Sequence, residues 1–164
     1  MGTVRAVSRD RTSPARLKAT VDQPLGPAGV RILGAVPLFA GMSKSRLRSL
    51  SDRAKVVRYG ADRLVLGEGV RGGGSVFVLL EGTARVEMGG RKIGRLGPGD
   101  VFGELALLDG RPRSASVVAT SDIVTVRLSR TAFLDLVRSD PDIALRVMEG
   151  LATRLRECQG DRVL

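Results

Sequence analysis

Between Phe102 and Val118 the chain reads FGELALLDGRPRSASVV, a short span holding two carboxylates, two guanidinium groups, two hydroxyls and three structural breakers. Gly103 has no Cβ, so a ligand can approach its backbone closely and unusual dihedrals cost little. Glu104-Leu105-Ala106-Leu107-Leu108 is built of good helix formers and is followed by Asp109-Gly110, which predicts one short helical turn ending at a glycine. The N–H groups that open such a turn have no intrahelical acceptor, and with the peptide dipoles behind them they suit an anion. Pro112 stiffens the following loop, and Arg113 offers a planar, permanently charged fork that matches phosphate oxygens. Ser114 adds a hydroxyl that can donate or accept. The same residues also read as a strand, a tight turn and a second strand, with a solvated Arg113 at the corner.

Glu104 is the odd member of a phosphate cradle. A carboxylate there needs a donor to read, and a sugar hydroxyl is the obvious one. Phosphate and sugar hydroxyl together point to a nucleotide. The pattern F-G-E-L-A-L-L-x-G-x-P-R-S-A-S-V closely resembles the phosphate-binding cassette of the cyclic nucleotide-binding domain family. That family includes regulatory subunits of cAMP-dependent kinases, cyclic-nucleotide-gated channels and catabolite-activator-type transcription factors. The resemblance implies that Glu104 holds the ribose 2′-hydroxyl and Arg113 the cyclic phosphate. It also implies that the backbone of Gly103, Leu105 and Ala106 completes the cradle. No cassette position departs from the pattern. Serine at the Ser114 position can contact a guanine amino group in parts of the family and also occurs in cAMP-binding bacterial regulators. The expected ligand is cAMP, with cGMP as the alternative.

The elements that must position this cassette are legible as strands. Leu64-Val65-Leu66 ends at Gly67-Glu68-Gly69, and Ser75 to Leu80 ends at Glu81-Gly82. Thr83 to Met88 alternates, with Ala84, Val86 and Met88 on one face and Arg85 and Glu87 on the other. Gly89-Gly90 predicts a two-residue hairpin turn. Gly97-Pro98-Gly99-Asp100 turns the chain into Val101-Phe102 and so into the cassette. Ala115 to Ala119 and Ile123 to Leu128 supply two more strands. Many short strands with glycine turns predict a β-sandwich or jelly roll, and the family resemblance implies an eight-stranded antiparallel jelly roll with flanking helices. One departure from the family pattern is the run Val70-Arg71-Gly72-Gly73-Gly74-Ser75, whose glycines predict a flexible connection.

Helices are expected on both sides. Ser43 is a candidate N-cap for a periodic run through Leu47, Leu50 and Ala54, and VPLFAGMSKSRLRSL resembles the helical lead-in of the family. Ser129 is expected to cap a short helix carrying Phe133, Leu134 and Val137. Asp140 with Pro141 in the first helical position opens a longer helix to about Cys158, along which Ile143, Val147, Leu151 and Leu155 recur every fourth residue. That stripe reads equally as core or as a dimer seam. In the family the last helix folds over the pocket as a lid, and in some bacterial channel domains an arginine on it stacks on the base. Arg154 falls at that position, with Thr153 beside it as a candidate partner for the base.

The 164 residues are most simply one domain with extensions: a basic N-terminal arm over 1–29 and a binding domain over 30–164, with a helical lead-in at 30–59, the jelly roll at 60–128 and C-terminal helices at 129–158. Histidine is absent and cysteine occurs once, at Cys158, which excludes a Ser-His-Asp triad, a Cys–His pair, a His/Cys zinc site and an intrachain disulfide. No metal is expected. The net charge of +10 is uneven, with 12 Lys/Arg against 3 Asp/Glu in residues 1–60 and near balance beyond. Such an arm can attract nucleic acid through salt-sensitive contacts, but with almost no aromatic residues for stacking it reads better as a solubilising tail. The longest apolar run, Val76 to Leu80, is five residues, far below a membrane span, and the N-terminus has no apolar signal core. The expectation is a stand-alone, cytoplasmic, bacterial-type sensor without catalytic activity. Its chain would end soon after the lid helix and act on an unidentified effector protein, with a homodimer through the C-terminal helix as a further option.

Overall fold

Glycine punctuation sets the strand lengths, and alternation along each strand sets what it faces. The computed structural model describes residues 22–71 and 74–159. Its strands are β1 (Asp22–Pro24), β2 (Ala54–Tyr59), β3 (Leu64–Leu66), β4 (Ser75–Glu81), β5 (Ala84–Met88), β6 (Arg91–Leu96), β7 (Val101–Phe102), β8 (Ser116–Ala119) and β9 (Ile123–Ser129). They form two antiparallel sheets, ordered β1-β2-β9-β4-β7 and β3-β8-β5-β6. Strands β3 to β9 fall where the sequence reading placed strands, β2 lies where it expected helix, and β1 adds a further strand at the edge.

Strand β4 shows why the layers stack as they do. Val76 and Val78 point to a core shared with the helices, whereas Phe77 and Leu79 point to a second core between the sheets. Its neighbour β9 divides the same way, with Val126 and Leu128 toward the helices and Ile123 toward the other sheet. A strand covered on both faces must be apolar at successive positions, which is the pattern Val76 to Leu79 carries. The inter-sheet core includes a stacked pair, Phe77 and Phe102, with ring centroids 5.3 Å apart.

Turn chemistry matches the strands it joins. Gly89 and Gly90 both hold positive φ, 57° and 78°, as a type I′ hairpin demands. Before β7, the Gly97 N–H donates to the Asp100 carboxylate at 2.7 Å, and the Leu79 N–H donates to the Asp100 carbonyl at 2.9 Å. The chain leading to the cassette is therefore fastened to the central strand β4.

Among the described residues five α-helices flank the sheets: α1 (Gly29–Gly34), α2 (Lys44–Asp52), α3 (Leu105–Asp109), α4 (Arg130–Ser139) and α5 (Pro141–Gln159). The expected caps are in place. Ser43 accepts from the Arg46 N–H, Ser129 from the Ala132 N–H, and Asp140 Oδ1 from the N–H groups of Asp142 and Ile143 at 3.1 and 3.3 Å. Asp140 also pairs with Arg46 at 2.6 Å, tying α2 to the junction of α4 and α5.

Two boundaries differ from the sequence reading. The arm expected over 1–29 is shorter, because β1 pairs with β2 and Leu25 is buried in the helical core; residues 1–21 lie outside the described ones. The helical lead-in expected over 30–59 ends at Asp52, and 54–59 is the strand β2. Ala54 sits at helical spacing from Leu47 and Leu50, yet pairing with β9 across six residues outweighs one more turn of helix. In the run of glycines after Val70, Gly72 and Gly73 lie outside the described residues.

Candidate ligand-binding site

The cassette leaves β7, turns at Gly103, runs through α3 and returns to β8. Gly103 has φ +84°, and a Cβ there would lie 2.9 Å from Arg113 Nη1 and 3.1 Å from the Leu66 side chain. Both the backbone and the neighbouring guanidinium therefore require glycine. α3 is the short turn read from the sequence, closed by Gly110 in the left-handed region at φ 71°. The Glu104 carbonyl accepts the Leu107 and Leu108 N–H groups, leaving those of Leu105 and Ala106 without an intrahelical acceptor.

Arg113 is only 5% exposed. Its guanidinium donates to the Gly103 carbonyl and, at 2.8 Å, to the Ser75 carbonyl. Two main-chain carbonyls thus meet the buried guanidinium. Burial pulls the guanidinium below its ordinary value and the Glu104 carboxylate opposes that, but an arginine stays cationic at neutral pH.

Glu104 is more deeply placed, 3% exposed. One oxygen, Oε1, accepts from Arg154 Nη1 at 2.6 Å, while Oε2 is buried and has no hydrogen-bond partner. Burial pushes this carboxyl above the usual glutamate value. The Arg154 charge and hydrogen bond, the local backbone and the Arg113 charge pull the other way without cancelling it. A buried acceptor left unsatisfied costs about 1–3 kcal/mol, so this oxygen marks a position built for a donor.

Gly103, Glu104, Leu105, Ala106, Arg113, Ser114, Thr153 and Arg154 all border one cavity of about 810 Å³, within the size range of small-molecule sites. The sequence placed Arg154 as a base-stacking residue. In the structure its guanidinium donates to Glu104 and to the Val101 carbonyl, both of which line the same cavity. A buried carboxylate within reach is a strong, charge-assisted partner for a guanidinium. Ser75 and Val101 contribute through their carbonyls, which no side-chain pattern could announce. Gly94 on β6 and Gly150 on α5 also border the cavity and went unread. The signal for Gly94 was present, since an isolated glycine inside a strand marks close approach of another group.

Lid geometry divides α5 into two parts. Ile143 and Val147 are buried in the helical core, and Arg146 donates to the carbonyls of Leu38 and Ala40 at 3.2 and 2.6 Å. Leu151 is only partly buried and Leu155 is 58% exposed, so the four-residue stripe is core at its start and solvated at its end. Leu145 and Met148 lie off that stripe, 52% and 58% exposed. Among the described residues no helix is long and apolar enough to cross a membrane, and no His, Cys, Asp or Glu cluster could hold a metal.

Comparison with known proteins places this architecture. A cAMP-dependent protein kinase regulatory subunit from Mycosarcoma maydis is 37% identical over 116 residues, 65% of this chain and 22% of that protein. The cyclic AMP receptor protein of Thermus thermophilus is 34% identical over 134 residues, 74% of this chain and 58% of that protein. The chain thus spans between about a fifth and three fifths of the length of these curated relatives. Among solved structures, PKAR CBD2 with Sp-2Cl-cAMPS bound superposes with a TM-score of 0.67 at 29% identity, covering 84% of this chain and 98% of that one. The Thermus thermophilus catabolite activator protein gives 0.63 at 33%, covering 75% and 60%. The family model described as the cyclic nucleotide-binding domain matches residues 56–140, from β2 through the cassette to the end of α4. With the jelly roll, the cassette and that match over the same residues, the chain belongs to the cyclic nucleotide-binding domain family.

Proposed function

We propose that this protein is a regulatory module that binds cAMP in preference to cGMP and passes occupancy on through α5. The observation that carries the reading is the buried, partnerless Glu104 Oε2 in the same cavity as the buried Arg113. One needs a donor and the other suits an anion, and a ribose hydroxyl beside a cyclic phosphate supplies both at once. Gly103, Leu105 and Ala106 offer main-chain N–H groups to the same phosphate.

The preference for adenine rests on Thr153. Its hydroxyl donates to the Glu149 carbonyl at 3.0 Å, so toward the cavity it has lone pairs to offer. Lone pairs suit the exocyclic amino group of adenine, whereas the corresponding guanine oxygen needs a donor. Ser114 can serve either base. The relatives named for cAMP agree with this choice.

Transmission follows from Glu104 having two ligands to serve. Arg154 holds Oε1, and through it the far half of α5 is fastened to the cassette. A hydroxyl arriving at Oε2 changes the charge that Arg154 sees, so the nucleotide shifts the population of α5 positions by its differential affinity for them. Arg113→Ala and Glu104→Ala, measured by equilibrium dialysis with cAMP, should each weaken binding by at least about tenfold, ~1.4 kcal/mol. Unchanged affinity in both would remove the site assignment.

A second role attaches to exposed apolar residues of α5. Leu145, Met148 and Leu155 suit an effector protein or a second copy of the chain. Sedimentation equilibrium of wild type and Met148→Glu distinguishes these, since only self-association makes the mass concentration-dependent.

A further inference from the structure

Helix α2 is fastened to the C-terminal helices by two arginines, and one serine stands between them. Arg46 pairs with Asp140 at 2.6 Å and donates also to the Ser139 hydroxyl at 3.3 Å, while Arg53 pairs with Asp135 at 2.7 Å. Ser49 comes three residues after Arg46 and four before Arg53, so the three share one face of α2 and its C-cap. Ser49 is exposed, and its hydroxyl forms no hydrogen bond with any other described residue.

Cations dominate its surroundings along the chain. Lys44, Arg46, Arg48 and Arg53 stand against a single carboxylate, Asp52. A phosphate fixed to Ser49 lies within one helical turn of both paired arginines, and at about −2 it carries twice the charge of either aspartate that holds them. It also falls in the C-terminal half of α2, where the peptide dipoles and Asp52 repel a negative charge. Drawing the two guanidinium groups onto itself is what offsets that repulsion. Both arginine side chains are 42% exposed, so they can change partners without unpacking the core. Asp140 is the sensitive end of the exchange. Its Oδ2 takes Arg46, while its Oδ1 caps α5 through the N–H groups of Asp142 and Ile143.

Building on the reading of α5 as the mobile lid, we propose that Ser49 is a phosphorylation site whose phosphate takes Arg46 and Arg53 from their aspartates and loosens the start of α5. The donor is a nucleoside triphosphate, used by a protein kinase whose substrate groove is acidic and so complements Lys44, Arg46 and Arg48. The Ser49 Oγ–phosphorus bond forms as the bond from the γ-phosphorus to the bridging oxygen breaks. The hydroxyl proton passes to the kinase's base, and the nucleoside diphosphate leaves with the bonding electron pair. No residue of α2 borders the ligand cavity, so this input reaches the lid from outside the binding site.

Peptide mapping by mass spectrometry, on protein taken from the cells that make it, should find the phosphate on Ser49 within the tryptic peptide 49–53. Protein carrying phosphoserine at position 49, introduced during translation, should exchange the Asp142 and Ile143 amide hydrogens about fivefold faster than wild type. The same protein should bind cAMP about threefold more weakly. Asp140→Asn keeps a capping oxygen but gives up the charge, and should reproduce the faster exchange, whereas Ser49→Ala should match wild type. A native protein without phosphate on Ser49 overturns the site, and unchanged exchange in the phosphoserine protein overturns the switch. Faster exchange with unaltered cAMP affinity overturns its link to the lid. If cAMP does not bind the unmodified protein, the cyclic-nucleotide reading fails, and the exchange measurement still decides whether Ser49 controls α5.

Discussion

Two opposite charges share the interior of this protein, and each has been given a different kind of company. Arg113 is met by main-chain carbonyls, so its charge is satisfied by a scaffold that no substitution elsewhere can easily remove. Glu104 is met by one arginine and leaves an oxygen unused. Because burial raises the Glu104 pKa, folding favours its protonated form. The stability this group contributes is present at low pH and lost as pH rises through the raised value. At neutral pH the ionised carboxylate is therefore a net cost to folding. Glu104→Gln should melt at a higher temperature than wild type at pH 7 while binding cAMP more weakly, and the gap in melting temperature should close as pH falls through the carboxylate range. A lower melting temperature for Glu104→Gln at pH 7 would mean that the Arg154 pair outweighs the burial cost. These residue types were legible in the sequence because a cassette is local: Gly103, Glu104, Arg113 and Ser114 are close along the chain. The Arg154–Glu104 pair joins residues fifty positions apart, and it depends on how α5 lies against the cassette, which spacing along a helix does not define.

Among the elements, α5 is the one whose design is most divided. Its first half is fixed by the Asp140 cap, the burial of Ile143 and Val147, and the Arg146 clasp; beyond Gly150 it relies on Leu151 and Arg154. Asp140→Ala removes the cap and the Arg46 pair together, and should destabilise the fold by about 1–2 kcal/mol, lowering the melting temperature by a few degrees. No measurable change would show that α5 is held by packing alone. The caps at Ser43, Ser129 and Asp140 were readable because capping is a matter of two or three neighbouring residues. The extent of α2 was not, since Ala54 fits a helix by period and a strand by partnership, and the partner β9 lies some seventy residues away. Likewise β1 is made of residues with no strand signal, and it exists because the edge of β2 was open to pairing.

At the scale of the whole molecule, a rigid double sheet carries the cassette on one edge, and a lid helix touches it through one ion pair. Removing that contact should loosen the lid without disturbing the barrel. Arg154→Ala should raise amide hydrogen exchange in residues 151–159 and leave β4 and β9 protected. Equal exchange in the two proteins would mean that the far half of α5 is held by something other than Glu104 and Val101. The strands β3 to β9 and the turns between them were legible in alternation and glycines, whereas β1, β2 and the Arg154–Glu104 pair depend on partners far away along the chain. The central claim is that the cavity takes a cyclic nucleotide through Glu104 and Arg113. Isothermal titration of the wild-type protein with cAMP and, separately, cGMP tests it most directly. The account predicts saturable one-site binding in the micromolar range or tighter, with cAMP the stronger ligand. Absence of heat and of any thermal shift with either nucleotide would contradict it.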